Sequence, residues 1–174
     1  DYKFAFARNT DARTLEDALK GADVFIGVAK PDLLTKEHIQ LMAPCPIIFA
    51  LSNPNPEIYP NVAKEARSDV IIATGRSDFP NQVNNVLCFP YIFRGALDVR
   101  ARCINQAMQI AAVDAIRKLV HEEVPESVKA SYPSFTNWHF GPDYILPKPT
   151  DPRLRQRVPR AVAEAAIATG VNRQ

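Results

Sequence analysis

The sequence predicts an α/β protein: a parallel sheet with flanking helices, followed by a proline-rich arm and a terminal helix. Three observations predict it. Short, β-branched apolar runs recur at residues 22–28 (ADVFIGV), 47–51 (IIFAL) and 70–73 (VIIA), each the length of a buried strand rather than of a helix. The intervals between them carry helix start and stop signals. Each run empties into a polar loop, and open α/β sheets bind ligands outside the carboxyl ends of their strands.

Taken in order, residues 1–9 (DYKFAFARN) place Phe4 and Phe6 in alternation and are expected as a strand. Thr14 is a candidate N-cap, with Glu16 and Asp17 in the first turn and Gly21 as the stop, so residues 15–20 form a short helix. The strand at 22–28 ends at Ala29-Lys30-Pro31. Thr35 caps a second helix reaching Met42, and Pro44 and Pro46 bracket Cys45. The strand at 47–51 leaves through Ser52-Asn53-Pro54-Asn55-Pro56. Asn61 starts a third helix to Arg67, and the strand at 70–73 opens into the loop 74–82. Strands alternating with helices give parallel pairing with helices on the sheet's faces. Right-handed crossovers then bring Ala29, Ser52-Asn53 and residues 74–78 to one edge.

Past Asp98 the pattern changes. Ile104, Met108, Ala111, Ala115 and Leu119 recur at helical spacing, predicting one long helix over 99–120 packed along a sheet face. Residues 121–138 read as a short helix with loops. Pro142, Pro147, Pro149 and Pro152 exclude a central strand or helix interior between 141 and 152, so this stretch reads as an extended arm wrapping another surface. Pro159 is placed as the first residue of a last helix that Gly170 ends. The division is residues 1–138, then 139–174 as arm and terminal helix of the same domain.

At 174 residues the chain is one domain or part of one. A 47% hydrophobic content, a mean hydropathy of −0.16 and a net charge of +2 describe a soluble globular chain with no electrostatic case for nucleic acid. Cys45, Cys88 and Cys103 are odd in number and lack metal-ligand spacing. Cys45 and Cys88 read as small core hydrophobes, and free thiols fit a reducing cytoplasm. No leader or membrane span is expected.

Several chemistries lack support. The glycines do not form the G-x-G-x-x-G turn of dinucleotide domains, so either this is no dinucleotide domain or its fingerprint strand lies upstream of residue 1. His38, His121 and His139 share no spacing with carboxylates, and no serine has a nucleophile-elbow context. Arg153, Arg155, Arg157 and Arg160 form a basic run without aromatic interleaving, which is more often a solvated face or subunit contact than a nucleic-acid patch. What remains is amides. Asn53 ends a strand ahead of Pro54, where it either caps its own turn or faces a ligand. Asn84 and Asn85 precede a helix-like block; both cannot cap the same turn, which leaves one amide free. Arg76 could face the crevice, whereas Arg94 reads as an ion pair with Asp98 at i+4. Lys3, Arg8 or Arg13 could meet a 2′-phosphate.

Residues 47–56 (IIFALSNPNP), 71–78 (IIATGRSD), 80–98 (PNQVNNVLCFPYIFRGALD) and 140–154 (FGPDYILPKPTDPRL) resemble the C-terminal part of the nucleotide-binding domain of malic enzymes, the bacterial type most closely. The likeness spans nearly the whole chain. It implies a partial Rossmann-like sheet and a fragment, inactive alone, of an enzyme that oxidatively decarboxylates malate to pyruvate while reducing NADP or NAD. In that family the glycine-rich turn, the general acid–base residues and the ligands of Mg²⁺ or Mn²⁺ precede the matched region. The resemblance therefore implies no catalytic residue and no metal ligand in this chain. It implies cofactor contacts at Asn53, Ser52, Val28, Ala29 and Asn84, and substrate contacts at Asn85 and Asn53. NADP is favoured over NAD, as in bacterial relatives, and a cytoplasmic homo-oligomer is expected. The rival readings are a non-catalytic nucleotide-binding or regulatory module and another α/β dehydrogenase.

Overall fold

The computed structural model describes residues 2–173. Three parallel strands, β1 (Val24–Gly27), β2 (Ile47–Ala50) and β3 (Ile71–Thr74), form a sheet in the order β1-β2-β3. Helices α1 (Leu15–Leu19), α2 (Lys36–Leu41) and α3 (Pro60–Ala66) pack on it. The expected threonines start the first two. Thr14 Oγ1 accepts the Asp17 N–H at 3.1 Å while the Asp17 carboxylate accepts the Thr14 N–H at 3.0 Å. Thr35 and His38 make the same reciprocal pair. Such boxes satisfy N–H groups that a first turn otherwise leaves without partners.

Phe25, Ile48, Ala50 and Ile72 join Leu19, Leu34, Ile39, Met42, Ile58 and Ala63 in one core under α1–α3. The opposite face, with Val24 47% and Ile26 66% exposed, contributes to no core cluster. Helices on its faces were expected; they occupy one face. The reason is the strand order, because successive right-handed crossovers running in one direction leave their helices on the same side.

A second, helical body follows: α4 (Phe89–Asp98), α5 (Gln106–Leu119), α6 (Glu126–Ser131) and α7 (Leu154–Ala168). The helix expected over 99–120 is shorter and does not lie along the sheet. Residues 99–105 turn instead, with Arg100 at φ 50 and Asn105 capping α5. Met108, Ala112, Ile116 and Leu119 of α5 pack against Leu154, Val158, Val162 and Ala166 of α7 and Ala96 of α4. Apolar spacing finds a helix's buried stripe but does not say which neighbour fills it.

Other expectations are corrected. Residues Tyr2–Phe6 form a 3-10 helix with Phe4 and Phe6 exposed, since no neighbouring strand is there to pair with them; Asp1 lies outside the described residues. Pro159 lies inside α7 rather than at its start, because the apolar i, i+4 stripe through Leu154, Val158 and Val162 outweighs the roughly 3 kcal/mol cost of an interior proline. Gly170 ends α7 at φ 67, as expected. The proline-marked stretch folds in turns onto its own chain instead of extending. Gly141 and Tyr144 pair across a turn, and the Tyr144 ring is fully buried with Val120, Val124 and Val128. Cys45 is exposed at φ 54 rather than in the core, while Cys88 is half-buried and burial raises its thiol pKa.

Candidate functional site

Gly27, Ala50 and Thr74 are register partners in adjacent strands. The three chain exits therefore leave from one edge of the sheet, the condition for the loops to build a common site. A side chain absent from the sequence reading joins two of them. Glu57, 0% exposed, accepts the Ala29 N–H on Oε1 at 2.8 Å and the Ser52 N–H on Oε2 at 3.0 Å. A Cβ at Gly27 would lie 2.6 Å from Oε1, so glycine makes the room for that carboxylate. One signal pointed there: a glycine inside a β-branched run marks a close approach.

The exits of β2 and β3 are joined more loosely. Arg76 Nη1 donates to Asn55 Oδ1 at 3.4 Å, and its guanidinium lies 6.0 Å from the Tyr59 ring and 5.8 Å from the Phe79 ring. Its other donors fork onto Asp78, Nε to Oδ1 and Nη2 to Oδ2, both at 2.8 Å. That hydrogen bonding raises the Arg76 pKa and lowers that of Asp78. The charge of Arg76 is committed to the loop, which disfavours a role as an open carboxylate clamp. Arg94 pairs with Asp98 at 2.7 Å, as its spacing suggested.

Asn81 anchors the return of the β3 loop. It is buried, donates to the Ile72 carbonyl at 3.0 Å and the Pro142 carbonyl at 2.6 Å, and accepts the Ile145 N–H at 3.0 Å. Lys148 adds a second tie, donating to the Pro80 carbonyl at 2.6 Å with its Nζ 4.1 Å from the Phe135 ring centroid; burial lowers its pKa. Both ties span more than sixty residues, and no local pattern announces them.

Among the candidate amides, Asn84 is the cap. Its Oδ1 accepts the Val86 N–H at 3.0 Å, starting the 3-10 turn Asn85–Leu87, and its Nδ2 donates to the Gly75 carbonyl at 3.5 Å. That second contact holds the turn to the β3 exit, on the edge that carries Asn53. Asn85 is exposed, and so is Asn53, whose bond to Pro54 is cis. Among the described residues neither side chain makes a hydrogen bond. Ser52 is buried beneath Asn53, while Val28 and Ala29 are exposed at the β1 exit. The edge thus presents two uncommitted amides and an apolar side chain above a fixed backbone.

The residues considered for a 2′-phosphate are elsewhere engaged. Arg8 donates to the Ala7 carbonyl and Arg13 to the Thr10 carbonyl; the Lys3 side chain lies outside the described residues. Among the described residues no group of three His, Cys, Asp or Glu could hold a metal ion. His38 belongs to the α2 cap, and His121 packs on Phe140 at 4.4 Å. In the basic run, Arg153 bonds to Asp151 and Glu122, Arg157 to Glu122 and Arg160 to Glu164. No helix among the described residues is long and apolar enough to cross a membrane.

Residues 3–139 match the family model described as malic enzyme, NAD binding domain. The chain is 57% identical over 173 residues to an NADP-dependent malic enzyme of Halomonas elongata, covering 99% of this chain and 41% of that protein. It is 53% identical over 171 residues to an NAD-dependent malic enzyme of Rhizobium meliloti, covering 98% of this chain and 22% of that protein. The crystal structure of a malic enzyme from Pyrococcus horikoshii superposes with a TM-score of 0.77 at 44% identity, over 92% of this chain and 33% of that one. The chain thus spans less than half the length of these relatives.

Proposed function

The chain belongs to the malic enzyme family, as part of its NAD-binding domain, and on that premise we propose that it forms one wall of the active site of a longer malic enzyme. That enzyme oxidises malate and decarboxylates it to pyruvate with reduction of NADP or NAD. The observation that carries this reading is the pair of uncommitted amides, Asn53 and Asn85, on a sheet edge held by Glu57, Arg76 and Asn84.

An exposed amide whose donor and acceptor are both free suits a nicotinamide carboxamide or a hydroxy-acid. Val28 offers an apolar contact beside them. Asn53 would meet both the nicotinamide and the acid, Asn85 the acid, and Ser52, Ala29, Val28 and Asn84 the cofactor. The nicotinamide held by these residues would supply the acceptor for the hydride on the hydroxyl carbon of malate. The residues of this chain bind and orient; holding the reacting carbons in contact is itself a large part of the rate enhancement. In this reading Mg²⁺ or Mn²⁺ and the proton-transfer groups are held by other segments of the enzyme. Residues 139–174 belong to the same domain as residues 1–138, a grouping supported by the packing of α7 on α4 and α5. A cytoplasmic homo-oligomer completes the reading.

The test is turnover of malate by the full-length enzyme with NADP, NAD and Mn²⁺. Absence of pyruvate under every combination refutes the reading, and cofactor binding without turnover would favour a non-catalytic module. Within an active enzyme, Asn85→Ala raises the malate KM by about tenfold, the order of one lost hydrogen bond to a charged group. Its melting temperature stays unchanged, because the side chain is exposed and supports nothing else. An unaltered malate KM would remove Asn85 from the site.

A further inference from the structure

Three charged side chains of the described residues are buried: Glu57, Lys148 and Asp151. Two have a structural account. Lys148 ties the proline-marked stretch to the Pro80 carbonyl, and Asp151 is matched by the Arg153 guanidinium. Glu57 differs. Its hydrogen-bond partners are two backbone N–H groups, on loops that follow different strands. Burying a carboxylate without a cationic partner is unfavourable, so its retention calls for a return.

Geometry supplies one. The two oxygens of one rigid carboxylate engage Ala29 and Ser52, which fixes the separation of those backbones more firmly than two independent contacts could. Both lie in the candidate cofactor edge, and Asn53 follows Ser52 directly. The carboxylate reaches them only because Gly27 has no side chain; an added Cβ would meet Oε1 at 2.6 Å, the Glu57 carboxyl carbon at 2.7 Å and the Phe25 ring at 2.6 Å. Gly27 and Glu57 therefore form a matched pair. A glutamine in place of Glu57 keeps the shape but turns an NH₂ group toward one of the two N–H donors.

We infer that Glu57 is a positioning residue for the nicotinamide cofactor: its carboxylate, admitted by Gly27, sets the spacing of the Ala29 and Ser52–Asn53 backbones that receive it. This inference rests on the malic enzyme reading. It acts through the loops and requires no contact between Glu57 and the cofactor.

The experiment uses the full-length enzyme, steady-state kinetics in NADP and NAD, and thermal melting of each variant. Glu57→Gln raises the cofactor KM by about tenfold, and so does Gly27→Ala, which displaces the carboxylate without removing it. The double variant shows about the same rise as either alone, because both disable one device. An unchanged cofactor KM in a folded Glu57→Gln enzyme overturns the inference, even with a lower melting temperature, since that outcome assigns Glu57 to stability alone. Multiplied effects in the double variant also overturn it. Should Glu57→Gln fail to fold, Glu57→Asp, which shortens the carboxylate and leaves Phe25 untouched, decides by the same criterion, since an added Cβ at Gly27 also meets the Phe25 ring. A wild-type enzyme that turns over no malate would instead overturn the functional reading, and this inference with it.

Discussion

The exit edge of the sheet and the helical region are held together by different physics, although each region has its own apolar core. Around β1–β3 the exit loops are tied by buried polar groups: Glu57 across two exits, and Asn81 from the β3 loop to the turn at 142–145. One sheet face stays open at β1, where Val24 and Ile26 are exposed. Around α4, α5 and α7 the buried contacts are apolar side chains and close backbone approach, with Gly95 against Pro159 and Val162, and polar ties such as Asn105 to Thr169 lie at the exposed ends. Hydrogen bonds are directional and fix atoms at set distances; apolar packing fixes volume. Candidate ligand contacts fall where the directional ties are. A binding edge needs its backbone placed, whereas its support needs only to be dense.

The largest effect expected on stability tests the helical side. A Cβ at Gly95 would sit 2.8 Å from Val162 Cβ and closer still to the Pro159 carbonyl oxygen. Neither is the end of a flexible chain, so α4 and α7 have to separate. Overpacking costs ~1–3 kcal/mol or more, against the ~1 kcal/mol that alanine gains over glycine inside a helix. Because backbone and Cβ atoms cannot yield, the cost is set above that range, at about 4 kcal/mol, so Gly95→Ala is expected to lose about 3 kcal/mol net in chemical denaturation. A variant as stable as wild type would mean the helices are not packed to backbone contact.

A smaller effect is expected on the polar side. Asn81→Ala leaves the Ile72 and Pro142 carbonyls and the Ile145 N–H without their partner. Unsatisfied buried groups cost ~1–3 kcal/mol each, and the turn at 142–145 can relax toward water, so a total of about 2 kcal/mol is expected. Hydrogen exchange at the Ile145 amide should quicken while amides at the middle of α7 keep their protection. Equal quickening in both places would show one cooperative unit and dissolve the contrast drawn above.

Much of this was legible in the sequence, for local reasons. β-branched runs marked three strands within a residue or two, and Thr14 and Thr35 announced their caps because a capping box is complete within four residues. The Arg94–Asp98 pair and a cap from one of two adjacent amides, which Asn84 supplies, likewise follow from near neighbours. What escaped was set by distance. Phe4 and Phe6 alternate as a strand would, but strand formation depends on a partner the pattern does not contain. Glu57 reads as a surface acid unless one knows that Ala29, 28 residues earlier, meets it. Asn81 and Lys148 are tied across 61 to 68 residues. The roles given to Asn53 and Asn85 came from resemblance; the chain pattern alone favoured a turn role for Asn53 and left open which of Asn84 and Asn85 caps.

The smallest effect concerns the opposite end of the sheet, away from the candidate site. Asp69 receives the Arg67 guanidinium at 2.9 and 2.6 Å and the Cys45 N–H at 2.7 Å, and Arg67 reaches on to the Met42 carbonyl at 2.8 Å. Hydrogen bonding from Arg67, then from the Cys45 N–H, holds the Asp69 carboxyl at about 2, below its ordinary 3.8. The folded value is the lower one, so the unfolded chain takes up the proton first. The stabilisation is therefore complete above pH 3.8 and is lost as pH falls through about 2. The pair is open to solvent, where screening keeps such contributions small. Asp69→Asn should flatten the stability profile across that window and converge with wild type at its acid end. If the variant keeps the wild-type slope between pH 3.8 and 2, the amino ends of β2 and β3 are held by packing. That result would sharpen the contrast, since within the sheet the directional ties that matter to stability would then lie at the binding edge.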